Sequence, residues 1–133
     1  MKLFPFLIPF LILETLVQIA MQGYFAVTGD PSPLLGYISF VLTAILLATV
    51  VWLAARRGNN VRSGMLAGSI LWIYAGSLTV LFAYANYLGL FGSAVKSSRL
   101  EFNGDLISLA LSTPIAVLVC WAIARIVVQQ RQR

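Results

Sequence analysis

The chain has 133 residues, 60% hydrophobic and only 10% charged, with nine basic side chains against four acidic ones. Soluble domains usually carry about 25% charged residues, so this composition excludes an ordinary water-soluble fold and points to a lipid bilayer as solvent. The net charge of +5 does not indicate a nucleic-acid binder, because no basic domain lies outside the apolar segments.

Four apolar segments exceed the roughly 20 residues that a helical crossing needs. They run over Leu3–Val27, about Leu34–Ala55, Met65–Phe91 and Leu106–Val128. None shows the alternation of a barrel strand, and backbone polar groups at bilayer depth must be satisfied within the segment. The expected fold is therefore all-α, a single domain over residues 1–133 forming an integral membrane bundle of four transmembrane helices.

The first segment follows Lys2, as a signal peptide's would. It is too long for one, carries Glu14, Gln18 and Gln22, and lacks a small-residue cleavage site, so it reads as a retained helix. Pro5 suits a first helical turn, whereas Pro9 removes a backbone bond and crowds the carbonyl of Pro5. The regular helix is expected to begin nearer Pro9, after a bent entry. The Thr28–Pro33 stretch is a turn cluster in which Asp30 or Ser32 could cap the second helix. A loop this short makes helices one and two antiparallel neighbours.

The second helix is the most lipid-like, with Ser39, Thr43 and Thr49 as its polar content and Trp52 near its end. Arg56, Arg57 and Arg62 then mark a tight basic turn. The third helix carries small residues at Gly64, Gly68, Ser69 and Gly76, the spacing that lets helix backbones approach. Toward its other end come Tyr84, Asn86 and Tyr87. Gly92–Asp105 is the longest loop, with Asn103-Gly104 read as a turn before the fourth helix. That helix repeats Ser108, Ser112, Ala116, Cys120 and Ala124 at intervals of four, a second ridge for close crossing. Pro114 interrupts it, with Ser112 and Thr113 at hand to serve the freed backbone.

Basic residues concentrate at the N-terminus, the second loop and the C-terminal end, while the first and third loops hold only Lys96 and Arg99. The positive-inside rule then puts both termini in the cytoplasm. The same residues would touch anionic lipid headgroups. Compact loops fit a bacterial inner (plasma) membrane.

Glu14 is the main candidate for chemistry. An acid near the middle of a spanning helix costs roughly 2.5–3.5 kcal/mol on insertion scales, which makes it a functional-site hypothesis. Gln18 and Gln22 follow at i+4 and i+8, so the three polar groups form one stripe. No Lys or Arg occurs at that depth elsewhere. Gln18, Ser77 and Thr79 are candidate hydrogen-bond partners for the acid. The stretch Leu13-Glu14-Thr15-Leu16-Val17-Gln18-Ile19-Ala20-Met21-Gln22 resembles the first helix of small multidrug resistance transporters. Those are four-helix proteins in which one acid is followed eight residues later by a lysine. Gln22 stands where that lysine would be, and the basic second loop and other helices follow a different pattern. The likeness is one of design, confined to these residues.

Catalysis is not expected. The chain has no His, Glu14 is the one acid inside a span, and no acid–base or nucleophile cluster is present. Histidine-ligated haem and zinc are excluded, and no cofactor or metal is expected. Cys120 has no second cysteine with which to form a disulfide. Two functions remain. In the first, the polar stripe and the ridges Gly64, Gly68, Gly76 and Ser108, Ser112, Ala116, Cys120 pack helices in a non-catalytic accessory or assembly subunit. Its partners would be further copies of this chain or other membrane subunits. In the alternative, the chain is a small proton-coupled transporter or permeation unit, with Glu14 as its titrating or cation-binding group.

Overall fold

Four antiparallel helices follow in up-down-up-down order: α1 (Leu3–Thr28), α2 (Pro33–Gly58), α3 (Val61–Leu88) and α4 (Arg99–Gln132). The computed structural model describes residues 3–28, 33–92 and 96–133. Lys2 and the proposed capping residues Asp30 and Ser32 lie outside them. All four helices are long and apolar enough to cross a membrane. The start of α1, the α2–α3 turn and the end of α4 share one end of the bundle, here the terminal end. The end of α1, the start of α2, the end of α3 and the start of α4 share the other, the loop end.

Local signals account for the helix limits. Asn60 caps α3, its side chain accepting from the Ser63 amide at 2.7 Å. Gly89 closes α3 in the left-handed conformation (φ 73°), and the Leu90 amide reaches back to the Ala85 carbonyl at 3.0 Å. Two expectations need correction. α1 is already helical at Leu3 and keeps Pro9 inside it. α4 starts at Arg99, so Asn103-Gly104 lies within the helix and makes no turn. The reason is a capping box. The Ser98 side chain accepts from the Glu101 amide at 3.1 Å, and Glu101 accepts from the Ser98 amide at 3.1 Å.

The core sits in the terminal half. Val50, Val51 and Ala54 of α2, Ala67 and Leu71 of α3, and Ala124 of α4 are fully buried there, with Leu7 of α1. Close approach is set by missing side chains. A Cβ on Gly64 would lie 2.9 Å from Ala124 Cβ and 3.0 Å from Ala55 Cβ. One on Gly68 would lie 2.6 Å from Val51 Cγ2 and 2.9 Å from Cys120 Sγ. Glycine lets three backbones meet at these two levels, giving the dispersion contacts that hold helices together without a hydrophobic drive.

The loop half is built differently. The buried residues of α4 are Ala116, Cys120, Ala124, Val127 and Val128, all beyond its midpoint. Before them α4 stays on α3, with the Phe102 ring stacked on Tyr87 at 5.4 Å and Trp72 bonded to Thr113, but is otherwise exposed. α1 leans on α2 and α3 and barely meets α4. The bundle is thus closed at the terminal end, and at the loop end α4 is held by α3 and leaves a gap toward α1.

Candidate functional site

α1 lacks a glycine ridge and is attached by polar bonds. Glu14, fully buried, faces α2, where the Thr43 hydroxyl lies 3.0 Å from its Oε1 and 3.2 Å from its Oε2. Gln18, one turn along, donates its amide to Glu14 Oε1 at 3.0 Å. Two turns along, Gln22 pairs with Asn86 of α3 in both directions. Gln22 Nε2 donates at 2.8 Å and Asn86 Nδ2 returns a bond at 3.2 Å. The Thr15 and Tyr74 hydroxyls share a further α1–α3 hydrogen bond. Every buried side-chain polar atom among the described residues has a partner, as low-dielectric surroundings demand.

The expected stripe of Glu14, Gln18 and Gln22 therefore exists, and its neighbours are α2 and α3 of the same chain. Ser77 and Thr79 do not serve the acid. Their hydroxyls return to their own helix, to the Ile73 carbonyl at 2.8 Å and the Ala75 carbonyl at 2.9 Å. Thr43 takes that role because it lies on the helix facing Glu14.

In the loop half the four helices border a cleft made of two adjoining hollows, of 420 and 490 Å³, with polar groups set among apolar ones. They share Gln18, Gly36, Ser39, Thr79 and Asp105 as common wall. The inner hollow reaches Thr43 and Gln18, the two donors to Glu14, so the carboxyl group sits directly behind the cleft wall. Toward the loop end the outer hollow is bordered by the Gln22–Asn86 pair and by Glu101 and Asp105 of α4. These two acids, four residues apart on one helix face, are the charged residues of either wall among the described residues. Lys96 and Arg99 lie beside this wall in the sequence but do not line it.

No protein-family model, curated protein or solved structure matches the chain. The site's geometry and chemistry therefore carry the functional argument alone.

The other expected site residues divide by level. Gly64, Gly68, Ala116 and Cys120 are consumed in the closed half, where Cys120 acts as a small buried apolar group. Gly76, Ser108 and Ser112 reach the inner hollow. The Ser112 and Thr113 hydroxyls both return to the Leu109 carbonyl, at 3.0 and 2.8 Å, one turn before Pro114. Among the described residues no cluster of three or more His, Cys, Asp or Glu could hold a metal ion. The cleft residues Ser39, Thr43 and Asn86, and the acids Glu101 and Asp105, were not assigned a site role from sequence. The i+4 spacing of Ser39–Thr43 on α2 and of Glu101–Asp105 on α4 is the signal that could have found them.

Proposed function

We propose that the chain is a small polytopic membrane protein that admits a cationic solute through the cleft to the Glu14 site, as a small transport or permeation unit. The observation that carries this reading is the cleft itself. Its walls set amides, hydroxyls and the acids Glu101 and Asp105 among apolar side chains, carry no basic residue among the described residues, and end on the two side chains that donate to Glu14. Glu14 would take up the cation or exchange it for a proton. Gln18 and Thr43 would hold the carboxyl group between turnovers. With both termini cytoplasmic, as the basic residues at the terminal end imply, the cleft opens to the far side of the membrane. The compact loops fit a bacterial inner membrane.

The test is transport in proteoliposomes containing a trapped pH dye. Tetramethylammonium added outside should drive proton movement with the natural chain and none with Glu14→Gln, while both proteins keep the same helix content and elution volume. Equal proton movement in the variant would sink the reading.

An accessory-subunit role is the second reading. It rests on the loop half of α4, where Leu106, Ile107, Leu111 and Ile115 are all exposed. Such a face is equally at home in lipid, so it does not displace the first reading. Purification in gentle detergent with mass measurement separates the two, since the subunit role requires a stoichiometric second chain.

A further inference from the structure

The terminal end of the bundle gathers Arg56, Arg57, Arg62, Arg125 and Arg131. The acids among the described residues, Glu14, Glu101 and Asp105, lie at mid-depth or toward the loop end. These arginines therefore have no carboxylate beside them.

Three of the cations rest on aromatic rings instead. Arg56 lies over Trp52, Arg57 over Phe6 and Arg125 over Trp121, with the guanidinium carbon 5.0, 5.0 and 4.9 Å from the ring centre. Stacking uses the face of a guanidinium and leaves its N–H edge open to an anion. Arg56 and Arg125 share one level, because the residues before them, Ala55 and Ala124, both meet Gly64. Trp52 and Trp121 lie one turn deeper, and both are exposed. Indole followed by guanidinium marks the depth where hydrocarbon gives way to headgroups.

The α2 pair has a second cation. Arg131 reaches across from the end of α4 and donates to the Arg56 carbonyl. It thereby caps one of the last carbonyls of α2, which have no partner within the helix. The cap takes one N–H, and the rest of the guanidinium has no partner among the described residues. Two cations thus meet at one residue without an acid, an arrangement that like-charge repulsion opposes and an anion relieves. Below them α2 presents an exposed apolar strip, Ile38, Val41, Ile45 and Trp52, at helical spacing from Arg56.

We propose that this corner between α2 and α4 is a binding site for an anionic phospholipid. Its phosphate sits between Arg56 and Arg131, and an acyl chain runs along the α2 strip. Guanidinium edges match phosphate oxygens with paired N–H bonds. A soluble anion would match the arginines and leave the strip without a role. A zwitterionic lipid would bring its own ammonium against them. The bound lipid ties the end of α2 to the end of α4. The site lies at the opposite end of the bundle from the cleft and stands independently of what the cleft admits.

The experiment uses the full chain with Trp121→Phe in phosphatidylcholine nanodiscs doped with a lipid brominated on its acyl chains. The same chain with Trp52→Phe added is the blank, so the difference reads quenching of Trp52. Brominated phosphatidylglycerol should reach half-maximal quenching at a mole fraction about tenfold or more below that of brominated phosphatidylcholine. Arg131→Gln, which keeps a donor for the Arg56 carbonyl, should cut this preference by about fivefold, and Arg131→Lys should retain most of it. Arg56→Gln should cut it likewise and covers the case that Arg131→Gln fails to fold. Arg62→Gln removes the same charge at the same end and should leave the preference within about twofold. Equal quenching by the two lipids would overturn the proposal, as would a preference that survives both Arg131→Gln and Arg56→Gln. An equal loss in Arg62→Gln would show a diffuse field and no site. Displacement by millimolar glycerol 3-phosphate at constant ionic strength would assign the arginines to a soluble anion and overturn the lipid.

Discussion

Thr43→Val is the sharpest probe of the Glu14 site. Valine keeps the shape of threonine and removes only the hydroxyl, which lies 3.0 Å and 3.2 Å from the two Glu14 oxygens. Thr43 is 9% exposed and Glu14 is 0% exposed, so the hydroxyl serves a carboxyl group that is itself out of contact with solvent. Gln18 continues to serve Oε1, and the burden falls on Oε2. A hydrogen bond between neutral groups contributes about 1 kcal/mol, and one to a charged group up to about 3. The expected loss of stability is therefore about 1–3 kcal/mol, measured by reversible unfolding in mixed dodecyl sulfate micelles and followed by circular dichroism. The decisive comparison is a double-mutant cycle with Glu14→Met, which fills the same space without the carboxyl group. In that background Thr43→Val should cost less than about 0.5 kcal/mol, because the hydroxyl no longer has an acid to serve. If Thr43→Val costs the same with and without the acid, the hydroxyl is not supporting Glu14, and the site has been built from the wrong pair.

Three further outcomes test the remaining geometry. Gly68→Ala puts a methyl carbon 2.6 Å from Val51 Cγ2 and should cost about 1–3 kcal/mol, whereas Gly36→Ala, with nothing within 4 Å, should be neutral or slightly stabilising in the same assay. Similar losses at both positions would contradict a closed terminal half and an open loop half. Gln22→Leu strands the Asn86 amide and should lower stability by about 1 kcal/mol, with Gln22→Leu/Asn86→Leu recovering most of it; a double variant weaker than the single one would argue against their pairing. In a Cys120→Ala background, Ser39→Cys on the shared cleft wall should react about tenfold faster with a cationic thiosulfonate reagent than with an anionic one of similar size. Equal rates would show that Glu101 and Asp105 do not set the potential of the cleft.

The helices were legible in the sequence because apolar length is a one-dimensional property. Glu14, Gln18 and Gln22 were legible as a stripe because helical periodicity puts them on one face. What faces the stripe is a tertiary fact. Thr43 looked like incidental polarity in the most lipid-like helix, and only the α1–α2 crossing gives it Glu14 as partner. Ser77 and Thr79 sit on a plausible helix at a plausible depth, yet their hydroxyls bond backward to carbonyls of their own turn, as hydroxyls in apolar helices commonly do. The start of α4 was misplaced for a different reason. Asn103-Gly104 carries strong local turn propensity, but Ser98 and Glu101 form a capping box upstream and the helix runs through both residues. Glu14, Gln22, Gly64 and Gly68 all meet residues of the same chain.

The asymmetry of the bundle traces to one register on α3. Positions 64, 68, 72 and 76 fall one turn apart and read Gly, Gly, Trp, Gly. At the first two, glycine meets Ala124 and Cys120 of the α4 ridge, and the backbones close. At the third, the indole of Trp72 spans the seam to Thr113. A side chain of that size cannot be accommodated at glycine-level separation, so from there α3 and α4 meet through side chains, Trp72 with Thr113, Gly76 with Leu109 and Tyr87 with Phe102. Beyond it, Gly76 is covered by the Leu109 side chain, and the α4 ridge residues Ser108 and Ser112 line a cleft where Ala116 and Cys120 line a helix contact. The ridge changes from alanine and cysteine to serine at the level where its neighbour changes from backbone to cavity. Small apolar side chains thus mark the helix contact and hydroxyls the cleft, a division set by what each level of α4 faces.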